Sequence, residues 1–81
     1  MLRMSEEKVL SSPIKRKIVY LLKTDGPMIF KTIKDEISIS SDSLKIALND
    51  LEADGIIKKK KGKIELTELG KEISQKISSM E

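Results

Sequence analysis

Most apolar residues of the chain fall on helical spacings, and one lysine-rich stretch breaks that rhythm. After Ser12-Pro13, the residues Ile14, Ile18, Leu21 and Leu22 stand at i, i+4, i+7 and i+8, the mark of a helix with one buried stripe. Ser12 supplies the cap and Pro13 the first turn. Asp25-Gly26-Pro27 ends the element, because glycine accepts a left-handed backbone and proline cannot continue a helix. A shorter helical piece is predicted ahead of it, with Ser5 as cap and Glu6, Glu7, Lys8, Val9 and Leu10 as its body. Its two acids sit near the positive end of the helix dipole.

Met28-Ile29-Phe30 is a brief apolar run that reads as a short strand, and Ile33 and Ile37, four apart, predict a two-turn helix over 31–37. Ser38-Ile39-Ser40 interrupts it. Ser40 is a cap for the next helix, in which Leu44, Ala47, Leu48 and Leu51 repeat at i, i+3, i+4 and i+7 before Gly55 stops it. Ile56-Ile57-Lys58-Lys59 and Lys63-Ile64-Glu65-Leu66 then flank Lys60-Lys61-Gly62, a hairpin signal. A two-residue Lys61-Gly62 turn sets Ile57 opposite Leu66 and Lys58 opposite Glu65. Thr67 caps a last helix with Glu68 in its first turn and Leu69, Ile73 and Ile77 on one line. Gly70, early in that helix, calls for close packing by another element to offset its usual penalty of about 1 kcal/mol against alanine.

Composition narrows the chemistry. A length of 81 residues suits one domain over 1–81, with a core over 10–74, near the size at which roughly 60% of the unfolded surface is buried. Twelve isoleucines and nine leucines supply the core, and with no cysteine or histidine there is no disulfide, thiolate or imidazole. No metal, cofactor or catalytic site is expected, since carboxylates alone make poor transition-metal sites. Glu6, Glu7, Asp35 and Glu36 read as surface charge, and no glycine-rich phosphate loop or ligand pocket is anticipated. No apolar run approaches the roughly 18 residues that span a bilayer, so a soluble, cytoplasmic protein without membrane contact is expected. Tyr20 and Phe30 read as core or core-edge residues, and two aromatics are too few for binding of single strands by stacking.

The formal charge is only +3, from sixteen Lys and Arg against thirteen Asp and Glu. Its distribution matters more. Residues 41–55 carry one lysine and four acids, and residues 56–66 carry five lysines and one acid, so a −3 helical segment lies beside a +4 hairpin.

The order helix, short strand, helix, turn, helix, hairpin, helix resembles the winged helix-turn-helix DNA-binding domains, in particular small MarR-like and ArsR-like transcriptional regulators. The likeness is carried by Leu10-Ser11-Ser12-Pro13-Ile14-Lys15-Arg16, Gly26-Pro27-Met28-Ile29-Phe30, Ile39-Ser40-Ser41-Asp42-Ser43-Leu44, Leu51-Glu52-Ala53-Asp54-Gly55-Ile56-Ile57 and Leu66-Thr67-Glu68-Leu69-Gly70. It implies a mostly helical α+β fold with a three-helix core, a β-hairpin wing and a C-terminal helix. It also implies a recognition helix over 41–54 in the major groove of double-stranded DNA, with a wing over 58–63 on the backbone or minor groove.

Within that frame the helical period turns Asp42, Ile46, Asn49 and Ala53 outward, flanked by Lys45 and Asp50. Asn49 suits a two-point pairing with adenine, and Ile46 and Ala53 suit thymine methyls. Ser41 and Ser43, with free backbone N–H groups at the helix start, suit phosphate oxygens. Lys59, Lys60, Lys61 and Lys63 on the wing, and Lys31 and Lys34 on the preceding helix, suit the backbone. Two features depart from the pattern: Ser38 stands where such turns often hold glycine, and the recognition helix is acidic. The acidity also fits an alternative, a winged-helix module that binds protein within a larger assembly. Metal sensing of the ArsR kind has no ligands here. Leu2, Met4, Val9, Leu10, Ile77 and Met80 read as surplus apolar residues that form a homodimer.

Overall fold

The computed structural model describes the backbone of residues 4–80 and the side chains of residues 7–77. Five helices and one hairpin follow in the order α1 (Met4–Leu10), α2 (Pro13–Asp25), α3 (Phe30–Ile37), α4 (Ser41–Ala53), β1 (Ile57–Lys60), β2 (Lys63–Leu66) and α5 (Glu68–Met80). α1 already includes Met4, so Ser5 stands inside the helix and not at its cap. The Arg16 guanidinium donates to the Leu10 carbonyl at 2.7 Å, tying the end of α1 to α2.

α2 is the hub of the helical layer, packing against α1, α3, α4, α5 and β2. The Ser12 hydroxyl accepts from the Lys15 N–H at 3.3 Å, and the Gly26 N–H closes the other end on Leu22. Contact on several sides makes the buried face wider than one stripe: Ile18, Val19 and Leu22 are buried, while Ile14 and Leu21 are only half-buried. Tyr20, on the opposite side of the helix, is 44% exposed and is not a core residue.

Met28 does not begin a strand. It forms a single bridge to Ile64, with N–H to carbonyl distances of 3.0 and 2.7 Å, and the chain turns at once into α3, whose first residue is Phe30. The hairpin has the expected register, Ile57 opposite Leu66 and Lys58 opposite Glu65. Lys61 (φ 52°) and Gly62 (φ 79°) both have positive φ, the two-residue turn whose twist matches that of the strands.

The hairpin is fastened at its base through Ile56. Its N–H donates to the Leu51 carbonyl at 2.9 Å, its carbonyl accepts from the Thr67 N–H at 3.0 Å, and its side chain is fully buried. The Thr67 hydroxyl accepts from the Gly70 N–H at 3.2 Å and lies against the Gly55 and Ile56 carbonyl oxygens. Gly70 lies so close to the Ile56 carbonyl that a β-carbon there would overlap its oxygen. This is the close packing that its place in a helix calls for.

Val9 (0% exposed) and Ile77 (1%) belong to this core, beside Ile18, Ile33, Leu44 and Ile73. They are not surplus apolar surface, and of the remaining dimer candidates only the half-buried Leu10 has a described side chain. An exposed helical glycine normally gains about 1 kcal/mol on replacement by alanine. Here Gly70→Ala should lower unfolding free energy by about 1–3 kcal/mol through overpacking, seen as a lower urea midpoint at unchanged m.

Candidate nucleic-acid interface

The turn between α3 and α4 sets the angle of the exposed helix. Ser38 adopts the left-handed conformation (φ 60°, ψ 48°) and its N–H closes α3 on the Lys34 carbonyl at 2.9 Å. The backbone therefore takes the conformation glycine would favour, and serine bears the strain. Ser40 then caps α4: its hydroxyl oxygen accepts from the Ser43 N–H at 3.2 Å and lies 3.0 Å from the Ser43 hydroxyl. Because the cap occupies it, the Ser43 N–H is not a free donor, contrary to the expectation from the sequence. Ser41 is half-buried.

α4 buries Leu44, Ala47, Leu48 and Leu51 and exposes Asp42, Lys45, Ile46, Asn49 and Ala53, as its period predicts. One of its acids, and Asp54 at its C-terminal cap, are paired from behind. The Lys15 ammonium lies 3.4 Å from the Asp50 carboxylate and Lys8 lies 3.6 Å from Asp54. Spacing along the chain could not reveal these partners, which come from α2 and α1. Asp42 remains exposed on the outward face.

The hairpin divides its lysines between two faces. Residues opposite one another in an antiparallel ladder point the same way, so Lys59 shares a face with Ile64, Ile57 and Leu66, while Lys58, Lys60, Lys63 and Glu65 share the other. Lys61 occupies the turn. Lys59 alone is turned toward α4, where it lines a groove of about 230 Å³ with Lys45, Asn49, Phe30, Leu48 and Ile64. Phe30, foreseen only as a core or core-edge residue, supplies part of its apolar floor. The groove thus unites Lys45, Asn49 and Lys59, whereas Lys31, Ser41 and Ser43 lie outside it, and Lys60 and Lys63 face away.

Pairing separates the cations sharply. Lys58 lies 3.4 Å from Glu65 and Lys71 lies 3.7 Å from Glu68. Among the described residues, Lys31, Lys34, Lys45, Lys59, Lys60, Lys61 and Lys63 form no ion pair. Lys60 and Lys63 stand directly opposite each other in the ladder, an arrangement of like charges that opposes folding.

A second, larger groove of about 540 Å³ lies between the end of α2, the hairpin and α5, lined in part by Leu22, Pro27, Leu66 and Gln75. The sequence gives no sign of it, because it forms where three elements meet. Among the described residues there is no cluster of three or more possible metal ligands, and no helix is long and apolar enough to cross a membrane.

The three-helix core, the turn between α3 and α4, the hairpin and the closing helix together define a winged helix-turn-helix of the transcription-regulator type. Residues 6–80 match the model of the N-terminal domain of the methanogenesis regulatory protein FilR1; the chain belongs to that family. No curated protein sequence matches it significantly. Among solved structures it is similar to the transcriptional repressor CouR bound to p-coumaroyl-CoA, with TM-score 0.79 and 17% identity over 94% of this chain and 56% of that one. It is also similar to the transcriptional repressor BigR from Xylella fastidiosa, with TM-score 0.71 and 24% identity over 93% of this chain and 75% of that one. At these identities the likeness is one of fold, and the chain spans little more than half the length of CouR.

Two stability measurements test the local account. Ser38→Gly should raise the unfolding free energy by about 0.5–1 kcal/mol, the relief of a non-glycine residue at positive φ. Lys63→Glu should replace the Lys60–Lys63 repulsion with an attraction and stabilise the fold by about 0.2–1 kcal/mol, an effect that added salt diminishes.

Proposed function

We propose that this chain is a sequence-preferring double-stranded DNA-binding protein, with α4 in the major groove and the β1–β2 wing on the backbone or minor groove. The observation that carries the reading is the set of unpaired lysines. The fold pairs Lys8, Lys15, Lys58 and Lys71 with acids but leaves Lys45, Lys59, Lys60, Lys61 and Lys63 without any, and it holds Lys60 against Lys63 at a cost in stability. A polyanion along the wing turns that cost into affinity.

The acidity of α4 is less of an obstacle than its charge suggests, because Asp50 and Asp54 are paired with Lys15 and Lys8. Asp42 keeps its charge on the outward face, where a carboxylate can accept from cytosine N4. Lys45, Asn49 and Lys59 line one groove, so a phosphate held by the lysines brings the base edge near the amide. Ser41 and Ser43 at the start of α4, and Lys31 on α3, are assigned to the flanking backbone. Ser43 contributes its hydroxyl there, since the Ser40 cap takes its N–H.

The proposal is of a binding protein and not an enzyme, acting as one domain in the cytoplasm without metal or cofactor. Pairing of two copies on half-sites about one helical turn apart belongs to the same reading, with Val9 and Ile77 removed from its contacts because the chain's own core covers them. Membership of a regulatory family supports a transcriptional role.

Replacing both Lys60 and Lys61 by alanine should weaken binding to every duplex and flatten the slope of log K against log salt by about 0.9 for each phosphate no longer neutralised. Asn49→Ala should instead cost about 1–3 kcal/mol on the best site and relax preference at one position. Unchanged affinity in both variants contradicts the proposal.

A further inference from the structure

We infer that a second copy of this chain docks on the face shared by α2 and α3, with Tyr20 of each copy seated in a hollow of the other. This deepens the pairing of two copies put forward above by naming the surface that joins them. Pro13, Arg16, Lys17, Tyr20 and Leu21 stand at i, i+3, i+4, i+7 and i+8 on α2, along one side of the helix. Tyr20 is 44% exposed, and Leu21 and Ile37 beside it are half-buried. None of these residues lines the groove between α4 and the wing, so this face is separate from the surface assigned to DNA.

Shape identifies the occupant. Tyr20 and Lys17 form the wall shared by two hollows, one of about 220 Å³ completed by Leu21, Glu36 and Ile37, the other of about 260 Å³ completed by Pro13 and Arg16. A knob and a hole on one surface are what a twofold interface requires, because the same patch must fit itself. Two α2 helices set antiparallel, with the axis beside Lys17, bring Tyr20 of each copy to the Pro13–Arg16 hollow of the other. Tyr20 lies three residues beyond Lys17, and Pro13 and Arg16 lie within four before it.

Charge agrees with shape. Lys17 and Glu36 line the same hollow, yet among the described residues neither forms an ion pair. The antiparallel arrangement gathers two Lys17 ammonium groups near the axis, where their repulsion is offset when each meets Glu36 of the second copy. The terminal helices offer no such match: the exposed described residues of α1 and α5 are all polar, among them Glu7, Glu68, Lys71 and Lys76.

Sedimentation equilibrium of the chain without DNA should show monomer and dimer in balance, with a Kd of about 1–100 μM, as suits a small interface. Tyr20→Ser, a change at an exposed position, should weaken the dimer about tenfold or more, as loss of a central aromatic anchor does. Lys17→Glu and Glu36→Lys should each weaken it as well. The variant carrying both charge changes should recover the wild-type Kd to within about threefold, because reversing both members preserves the pair. A wild type that is monomeric above that range, single variants that dimerise as the wild type does, or a double variant that fails to recover overturns the inference, whatever the chain does with DNA. Absence of salt-dependent binding to any duplex overturns the DNA reading and leaves this dimer standing.

Discussion

Ile56 is the point at which the recognition helix, the wing and the closing helix are joined. Its N–H satisfies the Leu51 carbonyl at the end of α4, its carbonyl is held by Thr67, and Gly70 lies against that same carbonyl. A chain that leaves a helix without such partners can enter the next strand at many angles. Here the angle is set, and with it the width of the groove between α4 and the hairpin. The Met28–Ile64 bridge braces the hairpin from its other side, so the wing is held at two places although it has only two strands.

Charge is arranged against that rigid frame in two ways. Asp50 on α4 and Asp54 at its cap are drawn into pairs with α2 and α1, which both hold the helix and quiet its negative field. Exposed pairs of this kind add little stability; their larger effect is on what an approaching polyanion meets. The wing does the opposite: it gathers lysines and pairs only Lys58, at the end far from the turn. A protein selected for stability alone would place an acid opposite Lys60, as it does opposite Lys58. Lys63 stands there instead, and the proposed role of the wing rests on that placement.

Much of this was legible in the sequence because it depends on local chemistry. The four inward residues of α4, the Ser12, Ser40 and Thr67 caps, and the hairpin register all follow from period, capping and turn residues. What escaped depends on tertiary placement. Val9 and Ile77 looked surplus because the elements that cover them lie elsewhere in the chain, and Tyr20 looked like a core or core-edge residue only by residue type. Met28 pairs with one residue of a strand far along the chain, so a short apolar run could not announce whether it extends further. The candidate site was legible as a set of residues but not as a geometry. Spacing could not show that Lys59 alone turns to α4, that Phe30 helps to floor the groove, or that the Ser43 N–H is already taken.

The central claim is that α4 and the wing form one surface for double-stranded DNA. The most direct measurement is a two-dimensional NMR titration of the labelled protein with a mixed-sequence duplex at low salt. Amide shifts concentrated in residues 41–49 and 58–63 are the result expected if helix and wing meet the duplex together. A spectrum unchanged at low salt would contradict it and favour a protein partner instead.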